Sequence, residues 1–476
     1  MTFLGLIFVP AALVCFLWSP SYLLFLLMLA MPFEAGSIFN GYIGDFEFGV
    51  PPFYFVEICI FVRLAMHIWN KNTFLPPQGD PARRAAILLC AFWLWSVLSA
   101  FIMPHLFAGV MVQPPRGAGS DQFAPLQWNL SNLAQAMYLT LNVAAVLYAL
   151  QIIRTQHSSE QLLKAFYWSV FIVITVGFAQ SLALALNLEF PYEIFNNNPA
   201  YLQGFDQEIE YVRRINSTFV EPSYAGSFLS AVAAGFLASF LSGKRGLLWC
   251  FSILMVVAML LKTTATTGLA ALAAMLCVLL VFFNPLRKQG KTGHSHSVAK
   301  TWIAIGVVFC VLGLMLYVDP DLLEAAKAVT VDKLETISFE GRLISDLFGL
   351  SVMLNTGTLG AGLGSSRASS LVTTLLGTVG IVGTGLFGAI LYKIVKIFPG
   401  RMAPASLQVS FWAFLGLFVA DMIAVPDLNR PAFWALMMLA LAQLNLCSKR
   451  IVGNQISREL TVPVSRRIAR GALPAN

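Results

Sequence analysis

Apolar stretches long enough to cross a bilayer recur along this chain from residue 3 to residue 447, and no polar block between them is large enough to fold as a soluble domain. Each crossing helix needs about 20 mostly apolar residues, so a chain that repeats such stretches has few options besides a bundle of membrane helices. Only 11% of its residues are charged and its mean hydropathy is +0.75, whereas about a quarter of a soluble protein is charged. A membrane barrel alternates apolar and polar residues along each strand, but residues 269–283 are apolar on every side. The sequence therefore predicts an all-α polytopic membrane protein, with one transmembrane domain over residues 1–448 and a basic tail over 449–476.

Spans are predicted near 52–70, 84–103, 132–153, 164–186, 224–241, 246–261, 267–283, 301–317, 371–394, 408–424 and 431–447. With the N-terminal stretch the total is twelve or thirteen. That first stretch, residues 3–32, has no basic leader and no small-residue cleavage site, so it is expected to stay in the mature protein. Pro10 and Pro20 leave open either a hairpin of two short helices or one long kinked helix. The seven cysteines all fall in predicted spans without a CxxC pair. They read as packing residues, and no metal or cofactor is expected.

Basic residues sort to alternate loops. Lys71, Arg83, Arg84, Arg154, Lys164, Lys244, Arg245, Arg287, Lys288, Lys291, Lys300, Lys393, Lys396, Arg401 and the tail form one set. By the positive-inside rule that set, and with it the C-terminus, is cytoplasmic. The net charge of +7 is then a topology signal rather than a mark of nucleic-acid binding, and the tail is expected to rest on anionic lipid. The opposite loops are acidic, and two of them, 187–223 and 318–370, exceed the length at which connections are usually functional or disordered.

A few cations stand in that acidic exterior: Arg116, Arg213, Arg214, Lys327, Lys333, Arg342, Arg367 and Arg430. The two lysines fit an interfacial helix over residues 320–329. Arginine's planar fork suits bidentate recognition of phosphate, so the arginines beside apolar spans are candidate diphosphate ligands. The plainer alternative is that each pairs with a neighbouring carboxylate, which contributes little at a surface.

Two segments carry most of the chemistry. In residues 213–229 a polar stretch runs into a span. Pro222 suits the first turn of the helix, which puts Glu221 at its mouth, either as a base that takes a proton from an attacking hydroxyl or as an acid that merely favours a helix start. Tyr224, in the same first turn, is a candidate substrate contact. The second segment holds Arg342 and Asp346, then Gly360, Gly362 and Gly364, then Arg367, Ser369 and Ser370, then Gly377, Gly380 and Gly383. Alternating glycines let backbone amides approach an anion, or else form a tight turn packed through small residues.

These residues resemble the O-antigen polymerase and ligase-like family of membrane proteins. The resemblance rests on Arg214, Phe219, Pro222 and Gly226 in an R-x-x-x-x-F-x-x-P-x-x-x-small pattern, and on the G-x-G-x-G-S-x-R-x-S-S run followed by G-x-x-G-x-x-G. Many helices with a long late external loop also fit. The ligases carry a histidine in that loop, and here none follows His296, which favours the polysaccharide-polymerase branch. The resemblance implies a metal-independent glycosyltransferase in the bacterial inner membrane. It would join polyprenyl-diphosphate-linked oligosaccharide repeat units at the outer face, into exopolysaccharide or O-antigen, with a chain-length regulator and a flippase of the same pathway as partners. Glu221, Arg214 and Arg342 are the expected catalytic residues; Arg213, Arg367, Gly360, Gly362, Gly364, Ser369 and Tyr224 are expected to bind substrate. A ligase-type transfer and a lipid-linked glycan flippase are the alternatives.

Ionisable residues inside spans are functional until shown otherwise. Glu57, Arg63 and His67 share one helix, and Lys262 and Asp421 lie near span ends. A structural role is favoured for all of them, with Glu57 placed to neutralise one of the arginines.

Overall fold

The computed structural model describes residues 1–43, 46–71, 73–115, 123–199, 207–209, 212–243, 246–283, 306 and 337–461. The predicted span 301–317, the interfacial helix at 320–329, Arg116 and the end of the tail lie outside them. The structure is helical throughout, with short two-stranded ladders in the connections: α1 (Phe3–Trp18), α2 (Pro20–Ala30), β1 (Phe39–Ile43), β2 (Phe46–Val50), α3 (Pro52–Lys71), α4 (Arg83–Leu106), β3 (Met111–Val112), β4 (Ala124–Pro125), α5 (Leu130–Ile152), α6 (Gln156–Ala185), α7 (Tyr192–Phe195), β5 (Glu208–Ile209), β6 (Val212–Arg213), α8 (Pro222–Leu241), α9 (Leu247–Lys262), α10 (Thr266–Phe282), α11 (Ile337–Asn355), α12 (Leu371–Ile397), α13 (Ala405–Ala424) and α14 (Pro431–Thr461).

Among the described residues 8 helices are long and apolar enough to cross a membrane: α3, α4, α5, α6, α8, α12, α13 and the first part of α14. The all-α polytopic expectation therefore holds for the described residues, where four shorter apolar helices, α1, α2, α9 and α10, accompany these eight. Helices α9 and α10 have 16 and 17 residues, about 24–26 Å at 1.5 Å per residue, against a core of about 30 Å. They stop short because the chain turns at Thr263 and Thr264, the latter with φ 45°. At the N-terminus the two-helix alternative is realised. The α1 start returns to the chain beyond α2 through Thr2 N–H to Ile38 O at 3.1 Å, so α1 and α2 form a hairpin bent at Ser19. Near its tip, the Arg63 guanidinium donates to Phe16 O and lies 4.7 Å over the Phe16 ring, which gives Arg63 a structural role.

Helices α8 and α13 pack along their length, and small residues make that possible. A Cβ on Gly235 would fall 2.6 Å from Val409 O, and one on Gly416 3.0 Å from Ala231 Cα, so the two backbones touch where larger side chains would hold them apart. Chain direction alternates through α1 to α6, through α8 to α10 and again through α12 to α14. Lys71, Arg83, Arg84, Arg154, Lys164, Lys396 and Arg401 accordingly fall at one end of the bundle, and the described residues of 34–50, 187–221 and 425–430 at the other. The basic end is tied by an Arg154–Asp80 ion pair at 2.5 Å and by Arg401 Nε to Phe282 O at 2.5 Å.

Residues 337–370 form a re-entrant element. Helix α11 runs alongside the first half of α12 and in the same direction. Asp346 is level with Ser370 and Thr373, and Thr358 is level with Ile381. The chain then climbs back through residues 361–370 to start α12. Helix α12 is broken at Gly380, with φ 67° and ψ −168°, and the returning chain occupies the break. Ala361 N–H donates to Gly377 O and Gly362 N–H to Thr378 O, both at 2.8 Å, and Ile381 N–H donates to Thr358 O at 2.9 Å. Non-helical backbone at membrane depth is tolerated where protein satisfies it in this way.

Candidate functional site

The short α9 ends in carbonyls that no further turn satisfies, as at any helix C-terminus, and Arg214 meets them. Its Nε donates to Thr263 O at 3.3 Å, one terminal nitrogen to Thr264 O at 3.5 Å and the other to Gln207 Oε1 at 2.8 Å. The backbone repeats the attachment: Arg214 N–H reaches Gln207 O at 3.0 Å and Ile215 N–H reaches Lys262 O at 3.3 Å. Among the described residues these hydrogen-bond partners are all neutral, and the carboxylate of Glu221 acts on Arg214 through its field. Burial lowers its pKa to about 10, with Glu221 raising it and Arg342 lowering it further. Arg214 thus stays charged at neutral pH and lies within electrostatic reach of both other expected catalytic residues.

Glu221 is the N-cap residue of α8, with extended backbone and Pro222 at the first helical position, and its side chain makes no capping hydrogen bond. It is therefore not held by the first-turn amides as a capping side chain is, and the helix dipole alone acts on it there. The Glu221 side chain is half-buried and lies in the field of Arg214. Arg342 comes from the outer part of α11, also half-buried. Two guanidiniums and one carboxylate, from three separate elements, therefore share one field at the non-basic end of the bundle. An arrangement with a surplus of positive charge beside a group able to take a proton suits an anionic ligand that carries a hydroxyl acceptor close by.

The other expected site residues divide. Arg213 ends the two-residue strand β6 just before Arg214, and its guanidinium lies 5.9 Å from the Tyr192 ring centre. Tyr224 stands one turn into α8, its ring 4.7 Å below the Arg430 guanidinium carbon and within electrostatic reach of Glu221. The segment holding Arg367 and Ser369 is clamped to α11. Asp346 Oδ1 accepts from Ser369 N–H at 2.8 Å, Ser370 N–H at 3.0 Å and Thr373 Oγ1 at 2.6 Å. Gln113 accepts from Arg367 N–H at 2.9 Å through its carbonyl and from Ser345 Oγ at 2.7 Å through its side chain.

The glycine run is placed differently from the anion-cradling reading. Gly360, Gly362 and Gly364 have φ of 83°, 99° and 82°. A Cβ on them would fall 2.3 Å from Thr378 O, 2.7 Å from Ser99 O and 2.7 Å from Ser131 O respectively. The amides are spent inside the protein: Gly360 N–H on Thr356 Oγ1, Gly362 N–H on Thr378 O and Leu363 N–H on Ser99 Oγ. These glycines let the returning chain wedge between α4, α5 and α12, and so they shape the scaffold around Arg367.

Two charges are reassigned. Arg430, grouped in the sequence with the exposed arginines, is fully buried and bound to Glu34, Asp421 and the Tyr224 carbonyl. Glu57 neutralises no arginine; it is fully buried and neither oxygen has a hydrogen-bond partner among the described residues. Sequence reasoning missed Gln207, Gln113 and the Thr263–Thr264 turn, because each acts across a long sequence separation. The one available signal was the polar stretch from Lys262 to Thr267, with four threonines, interrupting an otherwise largely apolar run from 247 to 283. No family model matches the chain, and no curated protein matches it.

Proposed function

We propose that the protein is a membrane glycosyltransferase that polymerises polyprenyl-diphosphate-linked oligosaccharide repeat units. The observation that supports this reading is the shared field of Arg214, Arg342 and Glu221. In the reaction the bond between the growing chain's anomeric carbon and phosphate oxygen breaks, and the lipid diphosphate leaves with the electron pair. A hydroxyl oxygen of the incoming lipid-linked unit forms the new bond to that carbon. Its proton passes to the Glu221 carboxylate. Negative charge grows on the departing phosphate, where preorganised guanidiniums stabilise it, and Arg214 is held for that by carbonyls that leave its charge unneutralised.

A specific observation favours a second reading. Broken helices and re-entrant chain are common in transporters, and α12 is broken at Gly380, so a lipid-linked glycan flippase is the rival. Purified full-length protein, given lipid-diphosphate-linked oligosaccharide without nucleotide, should release lipid diphosphate and lengthen the glycan. Failure to lengthen it, with movement of the intact substrate across a vesicle bilayer instead, would replace the polymerase by the flippase. Long lipid-linked polymer accumulating in a deletion strain would point to a ligase.

A further inference from the structure

A second set of charges lies behind Tyr224 and is closed off from the site. Arg430 is fully buried, Asp421 likewise, and Glu34 is 4% exposed. They come from the start of α14, the end of α13 and the turn after α2. Arg430 donates to Asp421 Oδ1 at 2.7 Å and to Glu34 Oε1 at 3.2 Å, and its third contact is the Tyr224 carbonyl at 2.7 Å. One guanidinium is set against two carboxylates, and each carboxylate keeps a second oxygen, Glu34 Oε2 and Asp421 Oδ2, buried without a hydrogen-bond partner among the described residues. The half-buried Asp427 adds negative charge within reach of both. A buried, uncompensated charge costs several kcal/mol, and such groups are paired or neutralised.

The structure assigns a single proton to this cluster, carried by Glu34 on the carboxyl oxygen that faces away from Arg430. Asp421 has the shorter contact to the guanidinium and is the ionised partner. Arg430 and the Ala432 amide favour its ionised form and Asp427 disfavours it; an ionised Asp421 repels a second negative charge on it, and the Tyr224 phenol also faces it. Burial is the largest influence and raises the Glu34 pKa from its ordinary value. The proton site is independent of whether the neighbouring site transfers sugars. Tyr224 is within electrostatic reach of both Glu34 and Glu221.

The sign of the pH dependence follows from the raised pKa. Folding stability from this group is complete below the ordinary glutamate pKa and is lost as pH rises through the elevated one. The test uses full-length protein in lipid nanodiscs and needs no substrate. Infrared spectra of the wild type should contain a protonated-carboxyl stretch, shifted in D2O, that disappears in Glu34→Gln. The wild-type melting temperature should fall as pH is raised, whereas Glu34→Gln, which imitates the protonated acid, should fold and follow a flatter curve. Sodium at matched ionic strength should leave both curves unchanged. The assignment is overturned if Glu34→Gln keeps every protonated-carboxyl band, or if sodium raises the wild-type melting temperature, which would make the resident a metal cation. Should Glu34→Gln fail to fold, Asp421→Asn decides: folding with loss of one band moves the proton to Asp421, and failure of both shows two ionised carboxylates. Either result overturns the assignment to Glu34.

Discussion

Asp346 Oδ1 accepts from the Ser369 amide at 2.8 Å, one helical turn beyond Arg342 on the same face of α11. That contact, with those to Ser370 and Thr373, makes the position of the Arg367 segment depend on the helix that carries Arg342. Hydrogen bonds to a charged acceptor contribute about 1.5–3 kcal/mol each. Asp346→Ala should therefore lower the melting temperature and reduce polymer formation, and Asp346→Asn, which keeps an acceptor oxygen, should do less of both. Calorimetry in detergent together with polymer length in cells would measure the pair. Equal effects of the two variants would mean that the charge, not the acceptor, holds the segment.

Arg214→Ala and Arg342→Ala should each slow transfer by a factor of about 10² to 10³, the usual effect of losing one transition-state stabiliser, with the protein still inserted. Arg213→Ala, whose guanidinium is turned to Tyr192, should have a smaller effect. Rates of lipid diphosphate release in vitro give the comparison. Unchanged release in both Arg214→Ala and Arg342→Ala would remove them from the mechanism.

Gly360→Ala places a methyl group 2.3 Å from Thr378 O at a backbone angle that side chains avoid. It should sharply lower the yield of monodisperse protein on size exclusion. Gly385→Ala, on the same α12 with nothing within 4 Å of the new methyl, should be neutral or stabilise by about 0.5–1 kcal/mol.

Arg430→Met leaves buried carboxylates without their cation and should destabilise the protein by about 3–5 kcal/mol. The loss should appear as missing folded protein on size exclusion, in contrast to the folded but inactive Arg214→Ala.

The bundle was legible in the sequence because lipid imposes one length and one polarity on every crossing, and α3 to α6, α8 and α12 to α14 lie where apolar runs put them. The stop of α9 was legible too, since the polar residues from Lys262 to Thr267 divide the apolar run into two predicted spans, but not that its terminal carbonyls would receive Arg214. Arg430 looked like the outer-face arginines because charge sorting reports which end of a helix a residue occupies and is blind to burial. The glycine run showed that left-handed backbone was needed but not which acceptors would take the amides. That depends on Ser99 and Thr378, far apart in sequence.

The gap in α12 at Gly380 is plugged by the chain that folds back from α11, each mending the other's missing backbone bonds. Withdrawing that plug would strip at least three main-chain groups bare in hydrocarbon, at several kcal/mol apiece. The outer half of α12 and the segment bearing Arg367 are consequently bound to travel as one rigid piece, and any opening of the site has to hinge outside it.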